Sequence, residues 1–177
     1  MEDYYAFFGL PEQYGLDVAG LKQRYLAQSK ALHPDYHTLA DAPAQRHALE
    51  QSSLNNRAYH TLKDPLQRLA YLLQRYGLLD EQGGNTSGVE LEPPFLLEVM
   101  ELSEAAEEAD ADTAPALLLQ LASLEDRAGR ELVSSLTAFD QAKDGRSELL
   151  RQAMQPYLQQ KYLLRIRQAL RTFAHRP

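Results

Sequence analysis

The chain has no cysteine and no tryptophan among its 177 residues. Without cysteine it forms no disulfide and offers no thiolate to a metal. It also lacks an apolar run long enough to span a bilayer, so no membrane interaction of that kind is expected. The amino terminus opens acidic and does not follow the charged-then-apolar order of a signal peptide. Glycine-rich phosphate loops, HExxH patterns and nucleophile elbows are missing too, which points away from an enzyme and leaves no cofactor to be expected. Basic residues are absent between Arg75 and Arg127, and side-chain carboxylates are absent after Glu148. A net charge of -7 argues against nucleic-acid binding, and the basic carboxy-terminal stretch is too modest to reverse that.

What is present is helical periodicity, with no competing strand pattern, so an all-α protein is expected. Val18, Leu21, Tyr25 and Leu32 recur at helix-like spacing behind Asp17, a residue suited to an N-cap. Pro34 disfavours helical geometry at His33, so this helix should end there and leave His33-Pro34-Asp35 in a loop. A second helix should begin at Ala42 or Ala44 and run through Leu49, Leu54, Ala58, Tyr59 and Leu62. Its Leu54, Ala58 and Leu62 step by four residues and can face Leu21, Tyr25 and Leu32 in an antiparallel hairpin. A short helix from Tyr4 to Phe8, ended by Gly9 and Pro11, can cap the open side of the pair. Leu66, Leu69, Ala70, Leu73 and Tyr76 predict a fourth helix, either docked on the hairpin or bridging to a second domain.

The stretch 77–93 reads as a linker between a domain at 1–76 and a second one at 94–177, because Gly83-Gly84-Asn85-Thr86-Ser87-Gly88 is polar and flexible in composition. Three helices are readable beyond it, over 94–109, 113–139 and 147–174, forming a three-helix bundle. The second carries Leu117, Leu121, Leu124, Ala128, Leu132 and Leu136; the third carries Leu150, Met154, Tyr162, Ile166, Ala169 and Phe173. Pro156 should either kink the third or mark the first turn of a new helix. On the first, Phe95, Val99, Leu102 and Ala106 form one stripe that can face the bundle. Leu96, Leu97 and Met100 remain on a neighbouring face with Glu101, Glu104 and Glu108. Such a face is either a partner-binding patch or part of a more deeply buried helix with a solvated acidic edge, and spacing alone leaves both open. The acidic stretch from Glu98 and the basic one beyond Glu148 could lie side by side.

The tripeptide His33-Pro34-Asp35 at the tip of such a hairpin resembles the signature loop of a J-domain, the module that drives ATP hydrolysis in DnaK-type chaperones. The order and spacing of Asn55, Ala58, Tyr59, Thr61, Leu62, Pro65, Arg68, Tyr71, Leu72 and Leu73 narrow this further. That block resembles the HscB family, the J-proteins of iron-sulfur cluster assembly. Asp3-Tyr4-Tyr5, Phe8-Gly9-Leu10-Pro11, Phe95-Leu96-Leu97-Glu98 and Met100-Glu101-Leu102 are similar to the same family.

The resemblance implies an L-shaped molecule with two partners. His33, Pro34 and Asp35 would act at the nucleotide-binding and linker region of an HscA/DnaK-type ATPase chaperone. Lys22, Arg24 and Lys30 would meet an acidic surface of that chaperone, beside Tyr25 at a position often aromatic in J-domains. Leu26 and Ala27 depart from the basic residues frequent there in general J-proteins, and Tyr36-His37 departs likewise after the tripeptide, which suits a dedicated chaperone. An IscU-type iron-sulfur scaffold protein would bind Leu96, Leu97, Met100, Glu101, Glu104 and Glu108, joined by Tyr162. The protein would be a bacterial, cytoplasmic co-chaperone, since the cysteine-based zinc module and targeting segment of some eukaryotic relatives are missing. It also lacks the glycine/phenylalanine-rich linker and paired-cysteine repeats of general DnaJ proteins.

The alternative within this class is a J-domain adaptor for a different specialised client. From another class, His33, Asp35, His37, His47 and His60 suggest a metal site. Pro34, however, prevents His33 and His37 from sharing a helical turn, and no carboxylate triad accompanies them.

Overall fold

The computed structural model describes residues 1–33, 41–110 and 112–173. Among them are seven helices: α1 (Tyr4–Phe7), α2 (Val18–Ala31), α3 (Ala42–Lys63), α4 (Pro65–Arg75), α5 (Pro93–Glu107), α6 (Ala114–Gln141) and α7 (Arg146–Phe173). The fold is all-helical across the described residues. Two compact units divide the chain, Met1–Gly83 and Gly84–Pro177. No described helix is long and apolar enough to cross a membrane.

In the first unit the helix starts follow side-chain capping. Asp3, Asp17, Asp41 and Asp64 each accept hydrogen bonds from free N–H groups in the first turn of α1, α2, α3 and α4. Asp64 closes α3 and opens α4 at once, with Pro65 in the first turn, so the corner between them is a single residue. α1 and α4 end on glycines at positive φ, Gly9 and Gly77. There Leu10 N–H bonds Tyr5 O and Leu78 N–H bonds Leu73 O, the pattern of a Schellman cap. The short helix thus ends at Phe7, one residue before the sequence expectation, because Phe8 is its cap.

α2 and α3 pack as the expected hairpin, and α4 docks on α3. The hairpin core differs from the expected set. Leu21, Ala48, Ala58 and Leu62 are buried, but Val18 and Leu49 are exposed and Leu54 is only half-buried. Asn55 takes the buried position beside Leu54. Its Nδ2 donates to Tyr25 O at 3.2 Å and to Ser29 Oγ at 2.9 Å, tying α3 to α2. Tyr25 and Tyr59 stack with centroids 4.1 Å apart, and the Tyr25 hydroxyl donates to Asn56 Oδ1 at 2.9 Å.

The amino-terminal segment is tied to α4 mainly by polar contacts. Tyr71 stacks on Tyr4, its hydroxyl donates to Glu2 O at 2.8 Å, and it accepts from Tyr4 N–H at 2.9 Å. Arg75 pairs with Asp3 at 3.0 Å and Glu12 at 2.7 Å. Burial acts against ionisation of Asp3, yet the Ala6 N–H and the Arg75 guanidinium hold its carboxyl below the ordinary value of 3.8. Buried Arg68 donates to Tyr14 O at 2.6 Å and lies over the Tyr14 ring, fixing the loop before α2.

The second unit is a three-helix bundle in which α6 and α7 pack along their length and α5 contacts both. Phe95, Val99, Leu102 and Ala106 of α5 meet Leu121 of α6 and Leu163, Ile166 and Leu170 of α7 in one cluster. The expected α5 stripe is therefore the buried one. α7 runs through Pro156 without a break, so Pro156 starts no new helix. The stripe expected on α7 shifts beyond this proline, where Leu163 is buried and Tyr162 is exposed.

Candidate partner-binding faces

The first face follows α2. His33, the last residue described before position 41, is exposed, and its N–H donates to Lys30 O at 3.4 Å. Pro34 and Asp35, with Tyr36 and His37, lie outside the described residues. Lys22 and Lys30 are exposed. Arg24 is committed in part elsewhere, since Nη1 donates to the Phe8 carbonyl at 2.9 Å and locks the end of α1. Tyr25 is half-buried and held by Tyr59 and Asn56, so its ring is preorganised. Among the described residues α2 and α3 together carry Lys22, Arg24, Lys30, Arg46, Arg57 and Lys63 against a single carboxylate, Glu50. The other described acids of this unit sit at helix caps and in the loops, which hides a cationic hairpin inside a nearly balanced stretch of sequence.

The second face is on α5. Leu97 and Met100 are 62% and 56% exposed, while Leu96 is half-buried. Glu101, Glu104 and Glu108 are exposed around them. Tyr162 of α7 is 37% exposed, next to the buried seam residue Leu163. α5 carries carboxylates and no cation, so leucine and methionine side chains project from an anionic surface.

Sequence reasoning missed a cleft of about 580 Å³ between α5 and α6, lined by Glu98, Glu101, Leu117, Gln120, Leu124 and Arg127 among others. Arg127 pairs with Glu98 at 2.5 Å, and that hydrogen bond raises the arginine's pKa. Leu117 and Leu124, expected in the bundle core, are half-buried in its wall. Arg167 of α7 pairs with Glu125 of α6, so α6 supplies partners both to the acidic α5 and to the basic α7. His47 and His60 are exposed, and among the described residues no group of three or more histidine and carboxylate side chains is arranged to hold a metal.

Known proteins resemble this chain in sequence and in fold. The HSCB C-terminal oligomerisation domain matches residues 91–171. The co-chaperone protein HscB homologue of Paraburkholderia phymatum is 36% identical over 157 residues, covering 86% of this chain and 87% of the relative. That of Cupriavidus taiwanensis is 39% identical over 124 residues, 68% of this chain and 69% of the relative. The structure of the chaperone HscB from Vibrio cholerae superposes with a TM-score of 0.65 at 28% identity, covering 97% of this chain and 96% of that one. Human co-chaperone HscB shares the fold, with a TM-score of 0.61 at 21% identity over 97% of this chain and 84% of that one. With relatives this similar over both units and the family domain spanning the bundle, the chain belongs to the HscB family of co-chaperones.

Proposed function

We propose that this protein is a non-enzymatic co-chaperone of iron-sulfur cluster biogenesis, with an amino-terminal J-domain at 1–76, a linker at 77–93 and a client-binding bundle at 94–177. It stimulates an HscA/DnaK-type ATPase through His33, Pro34 and Asp35, and delivers an IscU-type scaffold held on Leu96, Leu97, Met100, Glu101, Glu104, Glu108 and Tyr162.

The observation that supports the client half most strongly is α5. One of its apolar stripes is used up in the core, and Leu97 and Met100 stay exposed among carboxylates on the other. Large apolar side chains left in water cost free energy that a partner covering them recovers, and the surrounding charges select which partner does so. On the chaperone half, Lys22, Lys30 and Tyr25 present cations and an aromatic ring on the helix that leads into the loop. The loop stimulates hydrolysis only if it binds the hydrolysing state of the ATPase better than the alternative state. Asp35 supplies a charge-assisted acceptor for that discrimination.

Asp35→Asn tests the division of labour. It should abolish stimulation of the ATPase while scaffold affinity, measured by calorimetry, stays unchanged. Normal stimulation by this variant would contradict the assignment of the loop, and lost scaffold binding would contradict the separation of the two faces.

A further inference from the structure

Helix α6 carries a second pattern on the side turned away from its core. Leu121, Ala128, Leu132 and Leu136 are buried in the bundle. On the opposite side Leu119, Ser123, Asp126, Arg130, Val133 and Thr137 are all exposed. Leu119 is 74% exposed, the most of any large apolar side chain among the described residues, and Val133 is 62% exposed. The six follow one another by alternating steps of four and three residues, the spacing of a coiled-coil seam, along about 27 Å of helix. Asp126 and Arg130 stand at the middle of the stripe and pair with each other along the helix.

We infer that this stripe pairs with the same stripe of a second copy of the chain, antiparallel, about a two-fold axis that passes between Asp126 and Arg130. Both surfaces of the contact are therefore in view. Asp126 of each copy meets Arg130 of the other, so two ion pairs flank the axis, and further out Leu119 meets Thr137 and Val133 meets Ser123. Charge complementarity selects this orientation. A parallel pairing in register sets Asp126 against Asp126 and Arg130 against Arg130, and like charges in contact repel. The central charges are largely exposed in a single copy, at 64% and 70% of their side chains, so sharing them with a second copy disrupts no buried network. They set the register, while the leucine and valine supply contact area. The same surface serves both copies, so the contact closes as a dimer and does not propagate. One helix per copy is a seam at the small end of specific interfaces, and the association is weak and governed by concentration. Leu97 and Met100 belong to α5, outside the stripe, so a dimer carries two α5 faces.

Sedimentation equilibrium of the full-length chain, loaded at about 5 to 500 µM, reads the pairing directly. A monomer–dimer equilibrium is expected, and a chain that stays monomeric throughout would overturn the inference. Asp126→Arg alone and Arg130→Asp alone set like charges across the axis, and each should weaken the dimer about tenfold or more. The double variant Asp126→Arg/Arg130→Asp restores opposite charges and should recover wild-type association to within about twofold, a recovery that a merely solvated face does not produce. Leu119→Ser should weaken the dimer about threefold to tenfold. These positions are exposed, so the thermal midpoint should hold in every variant. A dimer indifferent to all of these substitutions, or a double variant that fails to recover, would overturn the inference. Orientation is read with introduced thiols, because the chain has no cysteine of its own. Leu119→Cys and Thr137→Cys chains, mixed and mildly oxidised, should cross-link to each other and not to themselves. Cross-linking of each variant only to itself would overturn the antiparallel pairing.

Discussion

The two units thread their helix seams with different chemistry, and two of their helices contrast in charge, α2 carrying cations and α5 carboxylates. In 1–83 the seams are threaded with polar links: Asn55 between α2 and α3, Tyr71 and Arg75 between α4 and the amino-terminal segment, Arg68 holding the loop at Tyr14. In 84–177 the seam of α5 with α6 and α7 is phenylalanine, valine, leucine and isoleucine, with ion pairs such as Glu98–Arg127 at its margin. Directional links fix a helix in rotation as well as position. An apolar seam leaves the outer face of α5 free to carry residues such as Leu97 and Met100 that the core does not use. Among charged side chains α2 carries cations only and α5 carries anions only, and on the proposed reading this contrast would direct partners of opposite character to separate units.

Breaking the apolar side of this comparison should have the largest effect. Leu163, fully buried against α5, loses contacts and leaves a void when cut to alanine, so Leu163→Ala should cost about 2–5 kcal/mol in denaturant unfolding. The polar side is weaker per link but not negligible. Arg75→Ala removes a partner of Asp3, Glu12 and Tyr71 at once and should cost about 1–3 kcal/mol, read in the same way. On the client face, Leu97→Ser/Met100→Ser should leave the thermal midpoint unchanged and weaken scaffold binding by about tenfold. Loss of stability with unchanged affinity would show that these side chains serve packing.

The smallest effect is a pH dependence that sharpens the polar side. Asp3 ionises more readily folded than unfolded, so its contribution is fully present above its ordinary value of 3.8 and lost as pH falls through the lower folded value. The acid limb of the stability profile should therefore flatten in Asp3→Asn. An identical limb in variant and wild type would show that this carboxylate contributes nothing to acid sensitivity.

Much of the fold was legible because it rests on local rules. The Asp17 cap, Gly9 after α1, and the three- and four-residue apolar steps on α5 and α6 mark helix boundaries and the buried stripe of α5. The misreadings fall where long-range chemistry replaces periodicity. Val18 fits the α2 repeat by spacing, yet it stands at the first turn, outside the hairpin contact. Asn55 is buried with its Nδ2 donating to two acceptors across the seam, Tyr25 O and Ser29 Oγ, something no hydrophobic count detects. Pro156 obscures the register of α7, so the buried position of Leu163 is not readable from the sequence. Arg24, expected on the chaperone face, also clamps the Phe8 carbonyl, a contact made sixteen residues away in sequence. The composition of the α5 face was readable in advance, but its exposure was not, because spacing cannot say how many sides of a helix are covered.

The central claim is that one chain couples an ATPase to a scaffold client through two separate faces. Its most direct test is the steady-state ATPase rate of an HscA-like chaperone with this protein, with and without an IscU-type scaffold. Coupling predicts that the two together stimulate more than the sum of each alone. Stimulation indifferent to the scaffold would contradict the coupling, and no stimulation of that chaperone or of a DnaK-type one would contradict the J-domain assignment itself.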